Sequence, residues 1–355
     1  MTKDYEVRPY NVGDEEDIIE LLKTAFPVWS SLSGPLEHWR WKFRDTPMGS
    51  DVAVAVSEGK VVGATHDIRF NAKIGSSTLL SQYGCDAVVD PDFRGMGVYS
   101  RILALSDKIH DENGVQFECG QSNNPKVTES WDKRGHVLFP QAMSYIVRIR
   151  DVDLHLRNRP AKTQELTRLG FHVIKSFNEI RNLVDSEDGD YSVSETSSFG
   201  DDFNHFWSIQ RESLGFTFEK SPAYLNWRYC DPRGGEYTVK QVRDKEELLG
   251  FSVLETKSLD QYKEGYIMEL STLPGRTDVS YSLFNDAGKH FDDLGVNVVY
   301  YLGVNGSHSQ ETSRRCGFVN SQRSPNIVCN ASEDNYNLIK ALAPDQVYFG
   351  YGDTL

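Results

Sequence analysis

The residues best placed to bind an anion lie between positions 85 and 100, where a glycine turn joins two regular segments. The apolar run Ala87-Val88-Val89 is rich in β-branched residues and ends before a proline, which is typical of the end of a strand. Apolar residues then recur at helical spacing from Val98 onward. Glycines let the backbone approach a ligand closely, and the helix dipole adds partial positive charge. The stretch therefore predicts a site where backbone N–H groups bind a pyrophosphate.

The glycine spacing distinguishes between the ligands that carry a pyrophosphate. A dinucleotide fingerprint needs a third glycine three residues after Gly97, where Ser100 stands. A nucleotide-binding P-loop needs Gly-Lys-Ser/Thr, which this stretch lacks. The run Arg94-Gly95-Met96-Gly97-Val98-Tyr99 resembles the acyl-CoA signature of the GNAT superfamily of N-acetyltransferases, Arg/Gln-x-x-Gly-x-Gly/Ala. It departs from that signature at the last position, where Tyr99 stands.

A second segment agrees with the family pattern further along the chain. GNAT proteins carry Asn-x-x-Ala-x-x-Leu-Tyr-x-x-x-Gly-Phe after the next strand. With Asn124 taken as the Asn, the matching offsets are occupied by Val127, Ser130, Trp131, Gly135 and His136. The spacing agrees throughout, whereas the residues at the Tyr and Phe positions differ from the family.

The resemblance implies acetyl transfer from acetyl-CoA to an amine. In the family plan two adjacent strands separate, and a backbone N–H of the fourth strand bonds the acetyl oxygen. The diphosphate would be held by the backbone of the glycine turn, with the Arg94 side chain assisting. The residues that we expect to contact the cofactor on this basis are Val88, Val89, Arg94, Gly95, Met96, Gly97, Val98, Tyr99, Ser100, Asn124 and Trp131.

The resemblance also suggests which groups move protons. A general base in this family is commonly an acidic residue on the fourth strand, where Asp86 stands, and Glu118 on the next strand is a second candidate. The family tyrosine that protonates the leaving thiolate is replaced by Trp131, whose indole N–H cannot supply a proton at neutral pH. Either another group serves, with Tyr99, Tyr145 and water as candidates, or the thiolate leaves unassisted.

An internal repeat predicts the architecture. Trp41 recurs as Trp227 at an offset of 186, and Pro91 as Pro274 at an offset of 183. A slowly drifting offset is typical of a duplication followed by small loop deletions. We therefore predict an α/β (α+β) fold of two tandem GNAT-like domains, each a mixed, mostly antiparallel twisted sheet flanked by helices. The predicted segments are a catalytic domain at 1–150, a connecting helix and linker at 151–190, and a degenerate domain at 191–355.

The second copy departs from the first at the predicted phosphate site. It reads Leu273-Pro274-Gly275-Arg276-Thr277-Asp278, which lacks the Arg-x-x-Gly-x-Gly pattern. Asp278 would also place a negative charge beside a phosphate. We therefore expect that this copy does not bind CoA strongly and that its role is structural.

Composition excludes several other classes of protein. The net charge is −14, with 52 acidic against 38 basic residues, which argues against a nucleic-acid-binding surface. The nine histidines show no metal-ligand spacing, so we predict no metal site. Five scattered cysteines without a C-x-x-C pair favour reduced thiols and a cytoplasmic location, and Cys119 is interpreted as a small buried hydrophobe rather than an acyl carrier. We find no apolar run of about 18 residues and expect no membrane association.

The function predicted is direct transfer of an acetyl group from acetyl-CoA to a primary amine of a small-molecule or peptide acceptor. Two alternatives stay open. A catalytically silent CoA-binding or scaffolding module would explain the missing tyrosine. An aminoacyl-tRNA-dependent tandem-GNAT transferase is the other, although such domains lack the turn that Arg94 and Gly97 form here. The sequence does not indicate the acceptor or the oligomeric state.

Overall fold

The computed structural model describes residues 4–152, 191–259, 262–321 and 323–354. Within these ranges the chain forms two β-sheets with helices packed against them. The connecting helix and linker predicted at 151–190 lie outside the described residues from position 153 onward. No helix in the described ranges has the length and apolar character needed to cross a bilayer.

The first half of the chain alternates strands and helices as the sequence predicts. Its strands are β1 (Glu6–Pro9), β2 (Ser50–Ser57), β3 (Lys60–Ile74), β4 (Ser77–Val89), β5 (Phe117–Gln121), β6 (Val137–Leu138) and β7 (Met143–Ile149). Its helices are α1 (Glu15–Ala25), α2 (Pro27–Ser31), α3 (Pro35–Trp39), α4 (Val98–Asn113) and α5 (Pro125–Lys133), and a π-helical turn at Arg40–Arg44 continues α3. The helix predicted to follow the glycine turn is confirmed as α4.

The second half repeats this order of elements. Its strands are β8 (Val193–Thr196), β9 (Phe216–Phe218), β10 (Tyr237–Asp244), β11 (Glu247–Leu259), β12 (Tyr262–Thr272), β13 (Val298–Val304), β14 (Val319–Asn320) and β15 (Ile327–Ala331). Its helices are α6 (Asp202–Ser213), α7 (Pro222–Tyr229), α8 (Thr277–Asp293), α9 (His308–Arg315) and α10 (Glu333–Ala341). The correspondence of β4, α4 and β5 with β12, α8 and β13 is the structural form of the internal repeat.

The two sheets have matching topologies. The first has the order β1-β2-β3-β4-β5-β15-β6, with β9 added beside β3, and the second has the order β14-β7-β13-β12-β11-β10-β8. Among these strands the pairs β4–β5 and β12–β13 are parallel and the other neighbours are antiparallel. The predicted fold class, two mixed and mostly antiparallel sheets flanked by helices, is confirmed.

Each half of the chain contributes a strand to the sheet of the other half. Strand β7 pairs with β13, with Tyr145 opposite Leu302, and strand β15 pairs with β5, with Cys329 opposite Cys119. The boundary predicted at residue 150 therefore divides the chain in sequence, while each sheet contains strands from both sides of it. Separating the halves would break both ladders and a shared apolar core built from Phe117, Phe216, Phe218, Leu302, Ile327 and Phe349.

The equivalent residues Trp41 and Trp227 meet between the two halves. Their rings stack with centroids 5.1 Å apart and an interplanar angle of 22°. The Trp41 indole N–H donates to the backbone oxygen of Trp227 over 2.8 Å, and the Trp227 N–H donates to the backbone oxygen of Trp41 over 2.9 Å. Both side chains are buried. This reciprocal pair is what a local two-fold axis between the duplicated halves would produce.

Candidate active site

A cleft opens where β4 and β5 separate. The two strands are in parallel register from Ser81 opposite Phe117 to Gly84 opposite Gly120, after which β4 continues to Val89 paired with β3 but not with β5. The β3–β4 register shifts between Ala64 and His66, beside the same point. The strands, α4 and α5 enclose a cavity of about 220 Å³. A parallel pair that separates in this way can admit an extended ligand between its strands, which is the arrangement the resemblance implied.

The glycine turn lies at the end of β4 and leads into α4. A 3₁₀ turn at Pro91–Phe93 follows the strand, and Gly95 and Gly97 have φ values of +81° and +78°. These values lie in the left-handed region that glycine adopts readily. Within the described part of the chain, no group accepts a hydrogen bond from the N–H groups of Gly95, Gly97, Val98, Tyr99 and Ser100. Helix α4 also lacks a side-chain N-cap, so its first amides remain available to an anion.

Tyr5 contacts the glycine turn through a hydrogen bond. Its hydroxyl donates to the backbone oxygen of Met96 over 3.0 Å, and the Arg101 guanidinium lies over its ring at 4.6 Å. Arg94 is exposed, and its Nε donates to the backbone oxygen of Val89 over 3.2 Å. Sequence reasoning missed Tyr5, because nothing in its local pattern indicates contact with a turn some 90 residues away.

Asp86 lies in the bulged part of β4, with a φ value of +47°. Its Oδ2 accepts from Nζ of Lys42 over 2.7 Å, and both side chains are largely buried. Burial by itself would raise the pKa of Asp86, but the adjacent Lys42 ammonium outweighs this effect and the pKa is lowered. Asp86 is therefore an ionised group, and a carboxylate with a lowered pKa is a weak proton acceptor.

Glu118 lies deeper in the cleft, between two histidines. Its Oε2 is 3.1 Å from Nε2 of His136, and its Oε1 is 3.7 Å from Nδ1 of His110. Burial opposes ionisation, but the two imidazoles lower the pKa of Glu118 well below its usual range. Both carboxylate oxygens are thus already engaged.

His110 links Glu118 to a second carboxylate. Its Nε2 lies 3.4 Å from Oδ2 of Asp67, which also accepts from the Ser106 hydroxyl over 2.6 Å. Burial favours the neutral imidazole, yet the nearby carboxylates of Asp67 and Glu118 raise the pKa of His110 to about 9. Sequence reasoning missed this network; the spacing of Ser106 and His110, four residues apart on α4, was the signal that could have found it.

Trp131 occupies the position of the family tyrosine and lies over β5. A Cβ at Gly120 would be 3.2 Å from Cη2 of this ring, so the glycine makes room for the indole. The Trp131 and His136 rings stack with centroids 6.2 Å apart at 25°. Trp131 therefore forms part of the cleft wall.

The other predicted contacts are distributed around the mouth of the cleft. Tyr99 lines it from α4, and burial raises the pKa of its hydroxyl. The Tyr145 hydroxyl accepts from Nε2 of Gln121 over 2.8 Å. Asn124 caps α5, with Oδ1 accepting from the backbone N–H of Lys126 over 3.1 Å. Tyr99 is thus the tyrosine, of the two considered, that lines the cleft.

Three side chains beside the cleft bring ligand-type atoms together. Asp107, His110 and Glu118 each offer one atom, and these atoms lie within 4.8 Å of one another. Asp107 is already bound by the Arg134 guanidinium, and His110 lies between two carboxylates. A cation would have to displace Arg134, so we assign no metal to this group. The cluster could not be found from spacing, since α4 and β5 bring it together only in the folded chain.

Comparison with known proteins agrees with this geometry. Residues 6–132 match the family model described as an acetyltransferase (GNAT) domain. This part of the chain is a GNAT domain. It contains the glycine turn, the separated strands and Trp131. No curated protein matches the chain in sequence.

Solved structures show that the fold extends over the whole chain. A GCN5-related N-acetyltransferase from Anabaena variabilis is 10% identical, with a TM-score of 0.65 over 92% of this chain and 72% of that one. N-myristoyltransferase from Saccharomyces cerevisiae, solved with bound myristoyl-CoA, is 10% identical, with a TM-score of 0.59 over 93% and 79%. A tandem GNAT protein from the clavulanic acid biosynthesis pathway is 12% identical, with a TM-score of 0.54 over 92% and 98%. The chain therefore has the fold of two tandem GNAT domains.

The second GNAT cleft has the same strand geometry and different contents. Strands β12 and β13 are in register from Glu264 opposite Val298 to Ile267 opposite Tyr301, and then they separate. The chain's own C-terminal segment, residues 347–353, packs against this opening. A cavity of about 80 Å³ remains beside it.

Glu269 is the counterpart of Asp86, and the C-terminal segment helps to bury it. It accepts from the hydroxyls of Tyr229 and Tyr348 over 2.7 and 2.5 Å, and from Nζ of Lys220 over 2.9 Å. Lys220 also pairs with Asp353 of the C-terminal segment. All the acidic and basic groups of this cluster are thus partnered within the protein.

Proposed function

We propose that the chain transfers an acetyl group from acetyl-CoA to a primary amine, and that the first cleft is its active site. The GNAT acyltransferase fold supplies the class of reaction. The observation that carries the proposal is the group of unpartnered amides at Gly95 and at Gly97 to Ser100, beside a separated strand pair. A CoA thioester needs this combination, because its diphosphate requires hydrogen-bond donors and its pantetheine arm requires an open strand edge.

The donor would lie along β4. Backbone N–H groups alternate in direction along a strand, and the Asp90 N–H donates to the Val62 oxygen on β3 over 2.9 Å. The N–H of Val89 therefore points away from β3, towards the side that β5 has left open. Of the two valines predicted from the sequence, Val89 rather than Val88 is our proposed donor to the pantetheine arm or the acetyl oxygen. Asn124 and Trp131 would bound the arm from α5.

The cysteine chemistry favours direct transfer between donor and acceptor. Burial raises the pKa values of Cys85 and Cys119 well above the ordinary range of a thiol. Thiols in that state are poor nucleophiles, so an acyl-cysteine intermediate is not part of the proposal. All five cysteines are free, as expected for the cytoplasmic location that we propose.

The thiolate leaves either with the help of a hydrogen-bond donor or unassisted, if its sulfur is a weak enough base. Trp131 cannot release a proton, whereas the Tyr99 hydroxyl lines the cleft with a raised pKa and so stays protonated. We assign Tyr99 the role of donor to the sulfur as it leaves. Asp86 stays ionised beside Lys42 and would attract the ammonium group of the acceptor.

A catalytically silent CoA-binding module is the second candidate, because Trp131 replaces the family acid. Two measurements separate it from the enzyme. Calorimetry with acetyl-CoA tests binding, and thiol release is then followed with spermidine, glucosamine, lysine and a peptide with a free N-terminus. Binding followed by release supports the transferase, and binding without release on any amine supports the silent module. Absence of CoA binding would remove both.

A further inference from the structure

His136 is a buried histidine that lines the first cleft and uses only one of its two ring nitrogens. It is 6% exposed and follows Gly135, the residue with positive φ just after α5. Its Nε2 faces Glu118, whereas its Nδ1 is buried without a hydrogen-bond partner in the described part of the chain. The family pattern has a phenylalanine at this position, which has no such nitrogen to leave unpaired.

An unpaired buried nitrogen calls for a physical explanation, since leaving such a group unsatisfied costs about 1 to 3 kcal/mol. The neighbouring Glu118 carboxylate explains in part why Nδ1 is unpaired. Glu118 accepts hydrogen bonds only, so the proton of the neutral imidazole lies on Nε2 and the lone pair lies on Nδ1. Stacking on Trp131 holds the ring in this orientation. The result is an unprotonated ring nitrogen on a side chain that lines the first cleft.

We propose that Nδ1 of His136 takes the proton from the ammonium group of the acceptor, and that Glu118 positions the imidazole. This inference rests on the proposed function and names the base for it. The ammonium group loses one proton to Nδ1, and the neutral amine attacks the thioester carbonyl. A C–N bond forms, the C–S bond breaks, and a second proton passes from the new amide nitrogen to the thiolate. The imidazolium then releases its proton to solvent.

Charged groups from several elements lie around the His136 ring. Glu118 on β5 stabilises the imidazolium, and Asp67 on β3 and Asp107 on α4 add negative charge at greater distance. His110 on α4 and Arg134 at the end of α5 oppose it. Glu118 is therefore the carboxylate that can hold the His136 imidazole in place.

The test compares His136→Phe and Glu118→Gln with His205→Asn, a control at an exposed histidine on α6. His136→Phe restores the family residue and should keep the fold and the acetyl-CoA affinity measured by calorimetry. We expect it to lower kcat by about 100-fold, the scale of a lost general base. Glu118→Gln should lower kcat while leaving KM and the acetyl-CoA affinity unchanged, a split that a purely structural role would not cause.

The assay uses the amine that releases thiol fastest among spermidine, glucosamine, lysine and a peptide with a free N-terminus. An unchanged rate and pH profile in His136→Phe would overturn the inference and leave the proposed function intact. If the wild-type protein binds acetyl-CoA but releases no thiol, the proposed function fails. ¹⁵N NMR of the histidine rings then decides the geometry: a bare Nδ1 at pH 7 supports it, and a proton on Nδ1 overturns it.

Discussion

The first cleft holds a cavity of about 220 Å³ between its separated strands, whereas the second holds about 80 Å³ beside the chain's own C-terminal segment and about 420 Å³ along the turn into α8. The last registered residues before the strands separate are Gly84 and Gly120 in the first cleft, and Ile267 and Tyr301 in the second. In the first cleft Asp67 and Trp131 pack against the two glycines, whereas in the second cleft both positions carry large side chains. Duplicated backbones can therefore keep the same strand separation while different side chains fill the opening.

The clefts also differ in which polar groups lack partners. In the first, the amides of Gly95 and of Gly97 to Ser100, together with Nδ1 of His136, have no partner among the described residues. In the second, Glu269 accepts three hydrogen bonds, and Arg276 of the former turn pairs with Asp278. The second cleft also contains buried polar atoms without partners among the described residues, at Gln210, Ser271 and Ser280. The two clefts therefore differ in which polar groups are free to bind a ligand: backbone N–H groups in the first, and side-chain oxygens in the second.

The largest expected effect separates the two turns. Gly97→Glu should reduce acetyl-CoA affinity by roughly 100-fold or more, equivalent to about 3 kcal/mol, because it places a carboxylate beside the diphosphate. Gly275→Glu is the matched control, since Gly275 has a φ value of +76° against +78° for Gly97. Calorimetry should give one CoA per chain for the control and the wild type. Equal losses in both variants would contradict the assignment of the site to the first cleft.

A second prediction concerns the C-terminal segment in the second cleft. A Cβ at Gly352 would lie 1.7 Å from Oη of Tyr229 and 2.5 Å from Oε1 of Glu269, so Gly352→Ala should destabilise the protein by about 3 kcal/mol. Gly34→Ala is the control, because no atom lies within 4 Å of its Cβ position. Urea unfolding measures the difference. Equal stabilities of the two variants would show that the segment does not pack tightly there.

The third prediction uses the pH dependence of stability. The pKa of His110 is raised to about 9 from an ordinary value of 6.5, so its contribution is fully present below pH 6.5 and lost as the pH rises through 9. We expect a loss of about 2 kcal/mol in the free energy of unfolding between pH 6.5 and 9.5 from this group. In His110→Gln that part of the pH dependence should be absent.

The second cleft provides the control for this measurement. Burial beside Glu269 keeps the pKa of Tyr348 well above 10, so Tyr348→Phe should leave the pH dependence unchanged between pH 6.5 and 9.5. If His110→Gln retains the full pH dependence of stability, the loss of stability does not come from His110 in the first cleft.

The smallest expected effects test the symmetry between the halves. Trp41→Phe and Trp227→Phe each remove one buried N–H···O hydrogen bond and leave a carbonyl unpaired, which should destabilise the protein by about 1 kcal/mol. Because the rings also stack on each other, the double variant should lose less than the sum of the two. If urea unfolding shows that the two single variants lose clearly different free energies of unfolding, the local two-fold relationship is contradicted.

Much of the fold could be predicted from local patterns. The spacing of Gly95 and Gly97 predicts the turn that leads into α4, and the offset between Trp41 and Trp227 predicts the duplication. The exchange of β7 and β15 could not be predicted, because alternation in a strand shows which face is buried and not which sheet edge it joins.

Less of the candidate site could be predicted. The position of Asp86 beside the cleft follows from its place on β4, but its partner Lys42 comes from a separate helical turn. Glu118 was selected as a possible base from its strand alone, and its two histidines come from α4 and from the residue after α5. Charge partners decide whether a carboxylate accepts a proton, and partners from distant elements leave no local signal.

The sequence by itself determined the order of elements, the glycine turn and the loss of its pattern in the second copy, because each depends on residues close together in the chain. The tertiary structure alone decided three things: which sheet receives each last strand, which ionisable groups face one another in the first cleft, and what occupies the second. Those outcomes depend on side chains and backbone groups that are far apart in sequence and meet only when the two halves pack together.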